Sequence, residues 1–462
     1  MRTGVFLVVL SLLVAPFLPF LTTIPAAAGV PTITITYHYN QPFAKLDMEK
    51  YIDQGRETLR ERGVNVKLKV NTWCCDDEDY KAKMALALNS GTASDLTQLD
   101  GFWLPAFASA GYLMPLPTEE WNEWESFYPP MQLSVSYKDK VYGAMYDTDV
   151  RLLYYNRKVF RDAGLPDPWE PKTWDDLLYA LRTIKEKCPG VVPFAAPIVS
   201  AEGEATTMQN FEMLYLGSVP KASIESGTWL YDPEKGQWIV RRKSLIDTLD
   251  LLRTIYVDEN LGDAMGALEA GSLGWKRRTE GLRDGKIGVI LDGSWHYAWS
   301  WGSDGPCPWP NRDKELGWAP LPGSGKPGTP PIACISGGWC WAVNSKAKNP
   351  DLAFEVLKAL EGKEALSVHN SFSAHIAPRN DVELSEAYTK EPIAIEFNER
   401  AGERLLPHTT YRPGVPEYPK VSSLIWRMVE AVCTGDKTPQ QAYRSFISRM
   451  NRTVGADHVA IE

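Results

Sequence analysis

The chain has 462 residues, 44% hydrophobic and 23% charged, with a formal net charge of −9. That length exceeds one ordinary core, so two domains are expected, and the acidic balance argues against nucleic acid or an anionic membrane surface as the main partner. Seventeen tryptophans are far above ordinary usage, and tryptophan is most valuable where a flat apolar ring face must be met.

The first 28 residues read as an export address. Arg2 is the only charge, residues 5–24 are apolar and interrupted by Pro16 and Pro19, and Ala26-Ala27-Ala28 fits small-residue cleavage, which places the mature start near Gly29. The competing reading is an uncleaved anchor, because the apolar run is almost long enough to span a bilayer. The first cysteines are Cys74 and Cys75, so no cysteine is placed to carry a lipid anchor. Seven cysteines leave at least one free or paired between chains. Cys334 and Cys340 flank a Gly-Gly pair, but strand geometry is expected to hold them apart.

Residues 32–37 (TITITY) alternate β-branched and polar side chains and predict the first strand. A helix over 47–62 ends at Gly63, a strand covers 64–70, a helix covers 80–88, and a short strand covers 95–99. This rhythm predicts parallel α/β architecture. Asp100-Gly101-Phe102-Trp103 follows the third strand directly, where open α/β sheets bind ligands. Asp100 and Trp103 are therefore binding candidates; the competing role of Trp103 is to pack the next helix.

Residues 146–160 (YDTDVRLLYYNRKVF) set Asp147 and Asp149 at the mouth of a buried strand. Asn156 caps the helix that follows, and Gly164 ends it before Pro166. Two acids at a strand end suit a polar ligand; solvent-facing turn residues are the competing reading. Thr173 and Asp176 resemble a capping box for a helix over 173–187. The strand 286–291 turns at Asp292-Gly293 into a region crowded by Trp295, Trp299 and Trp301. GSGKPG at 323–328 matches GxGxxG by letter, but Pro327, Pro330 and Pro331 forbid the helix whose N-terminus would hold phosphate, so it reads as a surface loop. A strand over 339–343 follows Ser336-Gly337-Gly338, and Asn349-Pro350 opens a helix to 360. A Pro-rich extended segment at 411–419 precedes closing helices over 421–432 and 439–450.

None of the six histidines belongs to HExxH or to an i, i+4 pair, and no GxSxG occurs. The acidic run 76–79 lacks calcium-loop spacing and reads as a helix start. No metal, cofactor or catalytic group is expected. What remains is acids, amides, Gly-Gly and tryptophans at strand ends, which suits a binder of neutral polar molecules. Sugars offer C–H faces to indole rings, and hydroxyls that carboxylates and arginine hold by charge-assisted hydrogen bonds.

Several blocks carry a family resemblance: SGTASDLTQLDGFWLPAFASAGYLMPL from Ser90, YDTDVRLLYYN, KTWDDLL from Lys172, GEATTMQNFEMLYLGS from Gly203, DGKIGVILDGSW from Asp284, ISGGWCWAVNSKAKNPDLAFEVL from Ile335 and RPGVPEYPKVS from Arg412. Together they resemble the extracellular solute-binding proteins of ABC importers, in the carbohydrate-binding branch that includes maltose- and trehalose-binding proteins. The resemblance implies an α/β two-lobe periplasmic-binding-protein fold with a ligand cleft between discontinuous lobes, 29–148 with 322–378 and 149–321 with 379–462. Crossings are expected at 147–152, near 318–322 and near 376–380. It implies ligand contact by Asp100, Asp147, Asp149, Trp295, Gly338, Trp339 and Arg412; Trp103 and Gly337 are added from local placement. It further implies a periplasmic or extracellular monomer, not an enzyme, that delivers an oligosaccharide or disaccharide to permease subunits served by a cytoplasmic ATPase. Two other readings stand beside it: a secreted glycoside hydrolase using two carboxylates, and the same fold holding a polyamine, phosphate ester or peptide.

Overall fold

The computed structural model describes residues 29–39, 42–74, 77–373 and 375–462; the expected export address and Cys75 lie outside them. The alternating TITITY run forms the strand Thr32–Tyr39, with Ile33, Ile35 and Tyr37 buried. Lys67–Cys74 and Leu96–Asp100 pair with it in parallel on either side, as the strand–helix rhythm predicts. Trp339–Val343 then runs antiparallel to Leu96–Asp100, and Ala144–Met145 completes the five-stranded sheet. Helix Pro42–Glu61 buries Met48, Tyr51 and Leu59 and packs on helices Pro350–Leu360 and Lys363–Ser373.

A second body forms around Arg151–Asn156, which is buried at every position. A strand covered on both faces must be apolar throughout rather than alternating, and LLYY supplies that. Its neighbours are the antiparallel strands Ile287–Gly293 and Leu316–Ala319, with Val192–Ala195 outside the former. Local signals place the flanking helices. Asn156 Oδ1 accepts from the Lys158 and Val159 N–H groups, and Gly164 ends that helix at φ 72°, a left-handed conformation that glycine adopts without strain. Thr173 and Asp176 form the full capping box of helix Trp174–Lys187. GSGKPG is a loop tied at Ser324 N to Gly217 O at 2.7 Å.

The two bodies are joined by crossing segments, and two of these differ from expectation. Residues 146–150 lead from the first sheet to the second. The return comes at Ser336-Gly337-Gly338 rather than near 318–322. Leu321–Pro322 pairs with Ile332–Ile335, which runs beside Thr409–Thr410, so this ribbon stays with the second body. Ile376 bridges to Thr148, yet 379–385 still fasten to the first body. Arg379 Nη1 donates to Glu361 O at 2.7 Å, Asn380 N to Ser126 O at 2.9 Å and Ser385 N to Ser371 Oγ at 2.8 Å. Hydrogen bonds of a buried arginine set this boundary, and hydrophobic periodicity carries no trace of them. Cys334 and Cys340 lie in different sheets, and Cys188, Cys307, Cys334, Cys340 and Cys433 are buried free thiols. Among the described residues no helix is long and apolar enough to cross a membrane.

Candidate functional site

The end of Leu96–Asp100 points into the junction. Asp100 Oδ1 accepts from Phe102 N at 3.3 Å and from Arg412 Nη2 at 2.9 Å. Arg412, on the Pro-rich segment, also reaches Glu204 Oε1 at 3.5 Å, and its guanidinium lies 4.3 Å from the Phe102 ring centroid. One buried cation thus spans an acid of the first body and an acid of the second. Burial lifts the Asp100 carboxyl to about 6, although Arg412 pulls the other way.

Glu204 accepts from Tyr418 Oη at 2.6 Å and from Ser422. The same phenol lies 3.0 Å from Glu212 Oε1. It has one hydrogen for two carboxylates, so the second contact calls for a proton on Glu212. Burial, then the Glu204 charge, pushes the Glu212 carboxyl up to about 8. Between the ordinary glutamate value and that one, the folded state binds the extra proton, so this group's contribution to stability falls as pH rises and levels off above about 8. Glu212→Gln keeps the shape and removes the titration. Its stability relative to wild type should therefore improve steadily from about pH 5 to about pH 8 in urea titrations; a constant difference would contradict the assignment.

Asp147 and Asp149 have their nearest contacts within the protein. Asp149 Oδ1 accepts from Gly337 N at 2.8 Å and pairs with Arg151. Asp147 Oδ1 accepts from Trp339 N at 2.7 Å, and Thr148 Oγ1 donates to Gly337 O at 2.9 Å. The crossing strand and the 336–338 return are thereby laced together. Gly338 must be glycine, since its φ is 140° and a Cβ would stand 2.4 Å from Asp147 O. Burial works to raise the Asp147 carboxyl, but His375, His369 and the Trp339 N–H together hold it below the ordinary value. Burial and then Arg412 bring Arg151 down to about 10.

Trp339 is half-buried, 4.8 Å from His38 and edge-on to Trp103 at 5.5 Å between ring centroids. Trp103 is only 1% exposed, so it supports Trp339 from behind. Trp295 is half-buried under Arg151, whose guanidinium lies 4.9 Å from the ring centroid. Gly337, Gly338 and Arg412 border one narrow space with Gly101, Phe102 and Met145, with Asp100 at its edge through Arg412. Asp147, Asp149, Trp103 and Trp295 do not line it. The space measures about 20 Å³. Sequence reasoning missed Arg151, Glu204, Glu212 and Tyr418 as partners at the junction. The GEATTMQNFE block holds both glutamates, but nothing in its spacing shows that one tyrosine meets both and that Arg412 pairs with Glu204.

The family model described as bacterial extracellular solute-binding protein matches residues 46–366. Binding proteins of Brucella abortus are 29% identical over 124 residues, 27% of this chain and 29% of theirs, so the match spans under a third of those relatives. The diacetylchitobiose binding protein DasA of Streptomyces coelicolor is 22% identical over 339 residues, 71% of this chain and 68% of that one. Maltose-bound MalE3 of T. maritima superposes with a TM-score of 0.72 at 19% identity, covering 92% of this chain and 100% of that one. The last likeness establishes the two-lobe fold.

Proposed function

We propose, from the premise that the chain belongs to the bacterial extracellular solute-binding protein family, that it captures a sugar between its lobes outside the membrane and delivers it to the permease subunits of an ABC importer. The observation that carries this reading is the Asp100–Arg412–Glu204 bridge between the two bodies, flanked by Trp339 and by Trp295 under Arg151. A space of about 20 Å³ holds about one water molecule, not a sugar ring, so entry requires the bodies to part. Sugar hydroxyls then replace the contacts that the charged groups make with one another, and indole faces take the C–H faces of the rings. Strand pairing supports a first lobe of 29–148 with 339–388 and a second of 149–338 with 389–462.

In this reading the protein binds and does not catalyse. The acids at the junction are engaged within the protein, Asp100 and Glu204 by Arg412 and Asp149 by Arg151, which leaves none of these free as the acid or nucleophile of a glycosidase. Native mass spectrometry of the purified protein should show a sugar-mass adduct that leaves unchanged on denaturation. Incubation with disaccharides and short oligosaccharides should return them intact; reproducible hydrolysis lost in Asp149→Asn would replace this reading with an enzymatic one.

A further inference from the structure

A cluster beside the crossing strand has the make-up of a metal centre, and it uses two histidines for which the sequence offers no motif. His369 lies in helix Lys363–Ser373, and His375 just beyond that helix. Their rings stack with centroids 5.7 Å apart and planes at 17°. The Nε2 atoms of both face Asp147 Oδ2, at 3.4 Å from His369 and 3.9 Å from His375. One donor atom from each of the three residues lies within 4.8 Å of the others. Ligand atoms around a tetrahedral zinc ion, bound at about 2.0–2.1 Å, stand about 3.3 Å from one another. A small closing movement of His375 would bring the set to that spacing.

The far side of each ring is also prepared. His369 Nδ1 is 3.0 Å from the Asp47 carboxylate, and His375 Nδ1 is 2.9 Å from Ser373 Oγ. Ser373 donates its hydroxyl hydrogen to His369 O at 2.8 Å, so toward His375 it can only accept. His375 therefore carries a hydrogen on Nδ1. In its neutral form it presents an Nε2 lone pair to a carboxylate oxygen, a pairing that either a second ring proton or a metal cation relieves. Imidazoles whose second nitrogen is held by a carboxylate or another acceptor are the usual ligands of bound metals. Asp147 and His369 are buried, and the other Asp147 oxygen is fixed by Trp339 N.

We propose that Asp147, His369 and His375 bind a divalent transition ion of the zinc class through two imidazole nitrogens and one carboxylate oxygen. This donor set suits zinc, cobalt or nickel rather than calcium or magnesium. The position gives the ion a consequence for lobe movement. Thr148 and Ile376, the neighbours of Asp147 and His375, exchange hydrogen bonds of 2.9 Å in both directions. An ion here ties the crossing strand to helix Lys363–Ser373 and stiffens the pivot whatever solute occupies the cleft.

The test uses the full mature chain, stripped with a chelator and titrated calorimetrically with Zn²⁺, with Co²⁺ as optical probe. One Zn²⁺ should bind per chain and raise the melting temperature. Co²⁺ should give the intense visible bands of a low-coordinate site. His375→Gln, chosen because this ring is partly exposed, should weaken Zn²⁺ binding more than 100-fold. Asp47→Asn, acting through His369, should weaken it about 10–100-fold. Should the His375 variant fail to fold, the wild-type Co²⁺ spectrum decides alone. Absence of stoichiometric binding, the spectrum of the hexa-aqua ion, or wild-type affinity in His375→Gln would overturn the proposal. The cluster would then be an ion pair in which His369 bridges Asp47 and Asp147.

Discussion

Arg412→Met should lower the stability of the folded protein by about 3–5 kcal/mol at pH 8, the range for removing one partner of a buried charge cluster. The guanidinium is 7% exposed and is the cation that faces both Asp100 and Glu204. Methionine fills much of the volume and stacks on Phe102, so lost packing contributes little and uncompensated carboxylates contribute most. The pH dependence separates the two. Asp100 titrates near 6 and Glu212 near 8 in the folded protein, both above their ordinary values. Arg412 holds both carboxyls down, so without it each rises further and takes up its proton at a higher pH than in wild type. The deficit of the variant should therefore shrink as pH falls from 8 toward about 6, where Asp100 becomes protonated in wild type as well. Urea denaturation of both proteins at several pH values checks this. A deficit below about 1 kcal/mol, the scale of an exposed ion pair, or one that does not vary with pH, would show that Arg412 is not the charge holding the junction together.

Trp295→Ala should weaken sugar binding by about 1–3 kcal/mol, which is about 5- to 150-fold in Kd. Trp295 is half-buried and has Arg151 over its ring, so a sugar stacked there takes the place of the guanidinium. Trp339 is expected to matter as much, but it also packs against His38 and Trp103. Truncation to Ala would reduce stability along with affinity, so Trp339→Phe is the better variant, keeping a ring in contact with Trp103 while reducing the area offered to the sugar. Titration calorimetry with the sugar identified by native mass spectrometry gives the affinities, and thermal melts give the stabilities. Normal affinity with collapsed stability would make both tryptophans core residues.

Elements whose signals are local were readable from the chain. The capping box at Thr173, the Asn156 cap, the Gly164 stop and the strand Trp339–Val343 each depend on neighbours within a few residues, and each stands where the sequence puts it. The candidate contacts were found as residue types at strand ends, but not as partners. Asp147 and Asp149 look like ligand-facing acids in YDTDV; in the folded chain they accept the Trp339 and Gly337 N–H groups, which come from almost two hundred residues away. The later return to the first sheet has the same origin, because the Ile332–Ile335 ribbon is placed by pairing with Thr409–Thr410. His369 and His375 meet Asp147 across more than two hundred residues, so no spacing rule reveals the cluster.

In the proposed function a solute bound between the lobes draws them together. A ligand that touches Asp100 and Trp339 on one side and Glu204, Trp295 and Arg412 on the other makes more contacts when the lobes are closed, and it must shift the population that way. Moving from 1:99 to 99:1 requires about 5.5 kcal/mol of preference for the closed form, within reach of several charge-assisted hydrogen bonds and two stacked rings. Small-angle scattering on protein shown by native mass spectrometry to be ligand-free, and again at saturation with its sugar, reads this directly. The ligand-free lobes exchange between the bridged form and a parted one that admits the sugar; saturation should remove the parted population, so the radius of gyration should fall. An unchanged radius at demonstrated full occupancy would contradict closure and leave a rigid binding module.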